Sequence, residues 1–413
     1  MKKLFFILAA VLMAASAWAD DFSTTLQKAK QGDASSQNSL GAIYSKGNGV
    51  AQDYSQAVYW FRKAAEQGHA NGQYNLGLMY ANGEGVTQDY TQAAYWFRKA
   101  AEQGQVDAQK NLGILYANGK GVKQDYAQAL YWYRKAAEQG QAIAQNNLGD
   151  LYANGEGVAQ DYTQAVYWFR KAAEQGLADG QCNLGVSYEL GNGVTQDYTQ
   201  AAYWFRKAAE QGNVKAQYKL GYMYCIGEGV THDDEQSVYW YKKAVDQGDA
   251  GAQNMLAVMY EYGLGVKQDY AQALYLYKKA AEQGLAVAKN NIGDMYANGE
   301  GVTQDYTQAA YWYKKAAEQG YVSAQYKLGY MYSEGEGVAQ DYTQAAYWFL
   351  QAAEQGNVSA QCILGVMYEE GIGVAQDYSQ AAEWYVKAAE QGDERAKENY
   401  KKLHAKLINE GNH

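Results

Sequence analysis

Residues 85–104 read GVTQDYTQAAYWFRKAAEQG, and residues 193–212 repeat the same twenty letters. The two copies are 108 residues apart, which is three times a period of 36 residues that glycine follows along most of the chain. A fixed self-similarity of roughly 20 to 50 residues is typical of solenoids and other repeat arrays. The stretch therefore predicts ten repeats over residues 33–392, and we number their positions 1 to 36 from Asp33.

The first half of each repeat carries a helical pattern, which we call helix A. In the second repeat we expect it over residues 70–82, ending where Gly83 can adopt the left-handed conformation. Its core face is predicted by small and apolar residues at helical spacing: Gly72, Leu76, Gly77 and Tyr80.

The second half of each repeat predicts a second helix, which we call helix B. Asp89 is expected to cap it, with Gln92 three residues later as in a capping box. Its predicted core face carries four residues at helical spacing: Ala93, Trp96, Phe97 and Ala100. An aspartate occupies this capping position in all ten repeats. We therefore interpret it as a helix cap rather than as a ligand.

The predicted fold follows from the fact that one pair of such helices cannot bury its own apolar face. An isolated pair leaves its apolar face in water, whereas stacked neighbours bury a continuous core. The sequence thus predicts an all-α protein, an α/α superhelical solenoid of ten 36-residue helix-turn-helix repeats. Short helical caps are expected over residues 20–32 and 393–413.

The repeat pattern A-Q-x-x-L-G-x-x-Y-x-x-G-x-G-V-x-x-D-Y-x-Q-A-x-x-W-(Y/F)-x-K-A-A-x-x-G resembles the Sel-one-like repeat (SLR) family, a relative of the tetratricopeptide repeat. The resemblance covers residues 33–392. It implies a superhelix whose concave face is lined mainly by A helices. It also implies adaptor and scaffold roles, often in the bacterial envelope or in contact with a host. Some bacterial relatives join helices by disulfides, but the position they use is alanine here, as in Ala65 and Ala101.

The first nineteen residues, MKKLFFILAAVLMAASAWA, have the order of a secretory signal peptide: two lysines, an apolar run and a small-x-small end. We expect export to the periplasm or secretion, with a mature chain that begins at Asp20. Without the two lysines, 33 basic and 45 acidic residues give a net charge of about −12. An acidic surface argues against nucleic acid and anionic membrane as partners. No later segment is apolar for long enough to span a bilayer, and we expect a monomer.

The sequence does not contain the catalytic motifs of serine hydrolases or of penicillin-recognising enzymes. The chain has no G-x-S-x-G and no serine followed three residues later by lysine. The repeated G-x-G-V lacks the G-K-(S/T) ending of a phosphate-binding loop and is interpreted as a turn. The sequence predicts no catalytic residue, no metal site and no cofactor. A penicillin-recognising or peptidoglycan-acting enzyme stays as an alternative.

Helix A varies most between repeats, chiefly at positions 3, 6, 10 and 13, which share one helical face. The resemblance directs that face to the concave groove. The candidate partner-binding residues occupy positions 6 and 10: Tyr74, Leu78, Lys110, Ile114, Asp150, Tyr218, Tyr222, Val258, Asp294, Tyr326 and Tyr330. Drift at tolerant surface positions would also explain the variation.

These observations favour a non-enzymatic scaffold or adaptor of the bacterial envelope that binds a protein or peptide in the groove. A secreted module that binds host proteins is a second hypothesis consistent with the same residues.

Overall fold

The computed structural model describes residues 22–410, so the expected signal peptide at 1–19 lies outside the described residues. Within that range the chain forms 22 helices and no strand. Helix α1 covers residues 22–30. The ten A helices are α2 (Ala34–Lys46), α4 (Ala70–Asn82), α6 (Val106–Asn118), α8 (Ala142–Asn154), α10 (Ala178–Leu190), α12 (Val214–Ile226), α14 (Ala250–Tyr262), α16 (Ala286–Asn298), α18 (Val322–Glu334) and α20 (Val358–Glu370).

The ten B helices alternate with the A helices. They are α3 (Tyr54–Glu66), α5 (Tyr90–Glu102), α7 (Tyr126–Glu138), α9 (Tyr162–Glu174), α11 (Tyr198–Glu210), α13 (Asp234–Asp246), α15 (Tyr270–Glu282), α17 (Tyr306–Ala317), α19 (Tyr342–Glu354) and α21 (Tyr378–Glu390). Helix α22 (Glu394–Glu410) follows the last repeat. The prediction of an all-α solenoid of ten helical repeats with short terminal helices is confirmed.

The chain divides into two compact units, the first ending at Asn213 and the second beginning at Val214. Inside each unit, an A helix packs against helix B of its own repeat and against helix B of the preceding repeat. Within a unit, an A helix that follows a B helix is therefore held between two B helices, which is the nearest-neighbour stacking that a solenoid requires. No helix among residues 22–410 is both long and apolar enough to span a membrane.

The helix ends match the turn chemistry of the repeat. The Asp89 side chain accepts a hydrogen bond from the backbone N–H of Gln92 at 3.0 Å. The equivalent aspartate caps helix B in all ten repeats, which confirms the capping interpretation. Gly83 ends helix A with φ of 75°, in the left-handed region.

Glycines let neighbouring backbones approach closely. A Cβ at Gly77 would lie 2.6 Å from a ring carbon of Phe97, so helix B of the same repeat packs directly on this position. A Cβ at Gly85 would lie 2.9 Å from the backbone nitrogen of Ser55, in the first turn of the preceding helix B. The G-x-G-V loop is thus a contact between repeats as well as a turn.

One residue of the predicted core face of helix A is only partly enclosed. Tyr80 packs against the core cluster that includes Phe61 and Leu76, but it is half-buried, and its hydroxyl accepts a hydrogen bond from Arg62 of the preceding repeat at 2.7 Å. Gln73 and Met79 of α4 are buried as well. Trp96 of helix B is also half-buried rather than fully enclosed.

The buried glutamine belongs to a set of contacts that we call the glutamine ladder. Gln73, at position 5, donates its side-chain N–H to the carbonyl of Ala65 in the preceding helix B at 3.2 Å. Its side-chain oxygen accepts from Gln103, at position 35 of the same repeat, at 2.7 Å. The same pair of contacts recurs at Gln109, Gln145, Gln325 and Gln361. Each rung satisfies a buried amide and ties one repeat to the one before it.

Candidate protein-binding clefts on the helix-A face

The eleven candidate residues lie on α4, α6, α8, α12, α14, α16 and α18. Positions 6 and 10 are four residues apart, so within one helix they fall on the same side, which we call the helix-A face. Most of the eleven are half-buried. Tyr222 and Tyr330 are the exceptions, with exposed fractions of 38% and 47%.

The tyrosines at position 6 contribute to the fold. The ring centroids of Tyr74 and Phe97 are 5.9 Å apart, and those of Tyr326 and Phe349 are also 5.9 Å apart. Tyr218 packs on Tyr241 at 5.8 Å, and burial raises the pKa of its hydroxyl. Because these rings rest on helix B, their removal would disturb packing as well as any binding. Tyr222 and Tyr330 are the better probes of the surface.

Polar side chains connect successive A helices along this face. Asn183 donates to Asn146 at 3.0 Å and to Asp150 at 3.1 Å, across one repeat boundary. The ammonium of Lys327 donates to a carboxylate oxygen of Asp294 at 2.6 Å across another repeat boundary. Lys110 pairs instead with Asp107 of its own helix at 3.4 Å.

A first cleft, the 3–4 cleft, opens between repeats 3 and 4 in the first unit, with a volume of about 340 Å³. Its walls bring two candidate residues, Ile114 and Asp150, together with Tyr126, Tyr133 and Glu156. Burial raises the pKa of Tyr133 to about 12, so its hydroxyl stays protonated and able to donate. This cleft combines apolar walls with two carboxylates.

The 7–8 cleft occupies the equivalent place in the second unit and has a volume of about 320 Å³. Val258 and Asp294, two further candidates, line it together with Glu261, Tyr277 and Glu300. Glu261 is only 8% exposed and accepts a hydrogen bond from the Tyr277 hydroxyl at 2.5 Å. Burial raises the pKa of this carboxyl. Three carboxylates therefore converge on one cavity.

The 8–9 cleft adjoins it, with a volume of about 330 Å³. Tyr306, Tyr313, Tyr326 and Tyr330 supply most of its wall, with Ala297, Met331, Lys327 and Glu336 completing it. Lys327 lines both the 7–8 and the 8–9 clefts. The candidates Tyr326 and Tyr330 thus belong to one cavity.

The three clefts have the same construction. Each lies between consecutive A helices, with the ring at position 29 of helix B, the residue at position 10 and a glutamate at position 16 of the G-x-G-V loop. Six candidates line them: Ile114, Asp150, Val258, Asp294, Tyr326 and Tyr330. These clefts do not include the other five candidates, Tyr74, Leu78, Lys110, Tyr218 and Tyr222.

Sequence reasoning missed three contributors to the clefts: the position-16 glutamate, the position-29 tyrosine and Lys327. A signal for the first two was present in the variation between repeats. Position 16 is glutamate in five of the ten repeats, and position 29 is tyrosine in five and phenylalanine in the other five. The repeat pattern alone assigns position 16 to a turn and position 29 to the core. Among residues 22–410, no group of three or more histidine, cysteine, aspartate or glutamate side chains is arranged to hold a metal ion.

Comparison with known proteins places the chain among repeat proteins. The Sel1 repeat matches ten consecutive segments from residue 34 to residue 393. A crystal structure of a protective antigen present in uropathogenic Escherichia coli strains, which displays an SLR fold, is 39% identical with a TM-score of 0.68, and the match covers 93% of this chain and 90% of that one. A Sel1 repeat protein from Oxalobacter formigenes is 36% identical with a TM-score of 0.58, over 75% of this chain and 89% of that one. No curated protein matches the chain. Ten consecutive repeats and these two relatives show that the chain belongs to the Sel1 repeat family.

Proposed function

We propose that the protein is an interaction scaffold whose protein partner lies along the helix-A face and places side chains in the inter-repeat clefts. Sel1 repeat solenoids are generally non-catalytic scaffolds. The observation that carries the proposal is the recurrence of one cleft construction at three repeat boundaries, lined by residues that differ between repeats. A constant frame with variable walls suits recognition of an extended segment at several points.

Site-specific photocrosslinking tests which face binds. A photoreactive amino acid at Tyr330 reports on the helix-A face, and one at Tyr311 reports on the outer side of helix B. The two tyrosines have similar exposure, 47% and 50%. We expect a discrete crosslinked species from the Tyr330 position in intact cells and none from the Tyr311 position. Equal capture at both positions, or capture at Tyr311 alone, would overturn the proposal.

We also propose that the scaffold works outside the cytoplasm. The support is the signal-peptide pattern of the first nineteen residues, which predicts cleavage before Asp20. Intact mass measurement of the protein purified from its native cells should give a chain that begins at Asp20. A full-length chain recovered from the cytoplasmic fraction would contradict export.

A host-facing role is a second candidate, favoured by one relative. The 39% identical structure is that of a protective antigen present in uropathogenic Escherichia coli strains. If this chain acts in the same setting, it should appear in the culture medium or be cleaved by protease added to intact cells. Protection from that protease, together with release on opening the outer membrane, would favour the periplasmic role.

A further inference from the structure

The 8–9 cleft is the most aromatic of the three clefts. Tyr313 forms its floor and is buried, Tyr326 packs on helix B, and Tyr306 and Tyr330 stand exposed at its edge. Its volume of about 330 Å³ lies within the range of roughly 300–1,000 Å³ usual for ligand pockets. Rings of this kind prefer edge-to-face or offset contact with another aromatic ring. The cavity therefore suits one large aromatic side chain.

The adjoining 7–8 cleft has a different chemistry. Its three carboxylates, Glu261, Asp294 and Glu300, face one ammonium, that of Lys327. Lys327 lies 2.6 Å and 2.8 Å from the two oxygens of Asp294, so its charge is already paired. Within residues 22–410, neither Glu261 nor Glu300 takes part in an ion pair. A cation in this cleft would find two uncompensated carboxylates.

We propose that these two clefts together bind one segment of the protein partner, with an aromatic side chain in the 8–9 cleft and a lysine or arginine in the 7–8 cleft. The inference rests on the proposed function and adds the chemistry of the partner. Charge complementarity selects the occupant: Glu336 at the edge of the tyrosine-lined cleft and the carboxylates next to it repel an acidic segment. Arginine fits best, because its guanidinium can bind carboxylates through two parallel hydrogen bonds.

Lys327 fixes the spacing of the two subsites. It is the residue that both clefts share, and its ammonium lies 5.2 Å from the centroid of the Tyr313 ring. The Lys327–Asp294 pair thus forms the partition between the aromatic and the acidic pocket. The aromatic and basic residues of the partner must be close in its sequence to reach both pockets.

The repeats themselves offer matched controls. Tyr222 is the exposed tyrosine at position 10 of repeat 6, the equivalent of Tyr330 in repeat 9. Glu84 occupies position 16 of repeat 2, as Glu300 does in repeat 8, and it lines none of the three clefts. Changes at Tyr222 and Glu84 therefore alter the same kind of side chain in the same local structure, away from the three clefts.

The test uses the full mature chain and fluorescence polarisation. The probes are dye-labelled synthetic peptides that carry one arginine and one tryptophan, separated by glycine-serine spacers of increasing length. Companion peptides replace arginine by glutamate or tryptophan by alanine. We expect one spacer length to bind best, and each replacement to weaken binding about tenfold or more, a tenfold change being about 1.4 kcal/mol.

The variants assign the contacts. Tyr330→Ala should weaken the arginine-tryptophan peptide and leave its tryptophan-to-alanine companion unaffected. Glu300→Gln, which removes charge while keeping the side-chain shape, should weaken the same peptide and reduce the salt dependence of its binding. Tyr222→Ala and Glu84→Gln should leave binding unchanged. Circular dichroism checks that each variant is folded. If Tyr330→Ala does not fold, Glu300→Gln still tests the inference.

Three results would overturn the inference: no peptide of the set binds, the glutamate or alanine companions bind as well as the parent, or the control variants weaken binding as much as the subsite variants. If a neutral oligosaccharide binds while no peptide does, and Tyr330→Ala abolishes that binding, the ligand of the cleft is a sugar and not a peptide. Crosslinking at Tyr330 separates this failure from that of the scaffold role. A partner captured there while every peptide fails leaves the scaffold and removes only the aromatic-basic motif.

Discussion

At the residue scale, Lys289 interrupts the glutamine ladder. It occupies position 5 of repeat 8, where most repeats have glutamine. Its ammonium donates to the side-chain oxygen of Gln319 at 2.7 Å, which reverses the direction of the usual hydrogen bond. Burial, with a contribution from Lys315, lowers the pKa of Lys289. The site therefore disfavours the charge that lysine carries at neutral pH.

Lys289→Gln should raise the melting temperature. The substitution restores a side-chain amide that can both accept from position 35 and donate to the preceding helix B, and it removes a partly buried charge. The gain is on the order of 1 kcal/mol, the usual net value of one hydrogen bond. Thermal unfolding followed by circular dichroism measures it. Gln325→Lys, which introduces the same defect in repeat 9, is the control and should lower the melting temperature; no rise in Lys289→Gln would contradict the explanation.

The contribution of Glu261 to the free energy of unfolding depends on pH. Burial raises the pKa of its carboxyl, although the Tyr277 and Tyr262 hydroxyls oppose the shift, and Glu300 and Asp294 reinforce it. A carboxyl whose folded-state pKa is raised stabilises the fold at pH below its unfolded value of about 4.3, and this contribution is lost as the pH rises through the folded-state pKa.

Glu261→Gln should therefore stabilise the protein increasingly as the pH rises. Glutamine cannot ionise, so it keeps the neutral form that the site prefers. We expect the difference in unfolding free energy between the variant and the natural protein to grow as the pH rises above about 4 and to level off above the folded-state pKa of Glu261. Urea unfolding across that range measures it. A difference that shrinks with rising pH would show that the ionised carboxylate stabilises the fold.

At the element scale, the G-x-G-V loop both forms a turn and packs against the preceding repeat. Gly85 and Gly104 both have positive φ, 68° and 90°. A Cβ at Gly104 would meet nothing within 4 Å, whereas one at Gly85 would meet the backbone of Tyr54 and Ser55. A comparison of substitutions at the two glycines therefore distinguishes the cost of backbone strain from the cost of a lost contact between repeats.

Gly85→Ala should destabilise the protein more than Gly104→Ala. Both substitutions place alanine in the left-handed region, at a cost of roughly 1–2 kcal/mol. Only Gly85→Ala also pushes the loop away from the preceding helix B. Chemical unfolding of both variants gives the comparison. Equal losses would mean that the loop does not carry the contact between repeats.

The elements themselves were accessible from sequence, and several of their contacts were not. The bounds of helix A in repeat 2 and the Asp89 cap were predicted correctly, because capping and left-handed glycine are local chemistry. The burial of Gln73 was missed, since hydrophobic periodicity counts glutamine as polar and cannot see its two partners. Lys327 was missed because its partner Asp294 lies 33 residues away, across a repeat boundary. The candidate site was predicted in the same way: its helix face follows from periodicity, whereas the clefts depend on pairs of repeats.

At the scale of the whole molecule, the solenoid should tolerate loss of a complete repeat. Removing residues 141–176 brings Gln181 to the place that Gln145 holds on the preceding helix B, so the glutamine ladder keeps its register. We expect a folded helical protein with a lower melting temperature. Removal of residues 141–158 alone is the control, because it deletes one helix of a pair and should give aggregated protein. Recovery of only unfolded protein after the 36-residue deletion would contradict nearest-neighbour stacking.

Helix α22 covers the end of the last repeat. Its Ala396, Tyr400 and Leu403 pack against an apolar cluster that includes Tyr385 and Ala388. A chain truncated after Gly392 exposes that cluster and should self-associate, because solenoids need polar terminal surfaces to stay soluble. Sedimentation velocity at increasing concentration measures the association. A truncated chain that stays monomeric throughout would contradict a capping role for α22.

The glutamine ladder has a direction, since position 5 reaches back to the preceding helix B and Gln37 makes that contact with the carbonyl of Ala29 in α1 at 3.0 Å. In the language of symmetry, the contact between repeats is heterologous: it joins unlike surfaces, and two copies cannot satisfy each other across a twofold axis. A heterologous contact sets no limit on the number of units that add to it. We therefore expect the two terminal helices to prevent such addition, and we expect a copy without both of them to present the surfaces of a filament subunit.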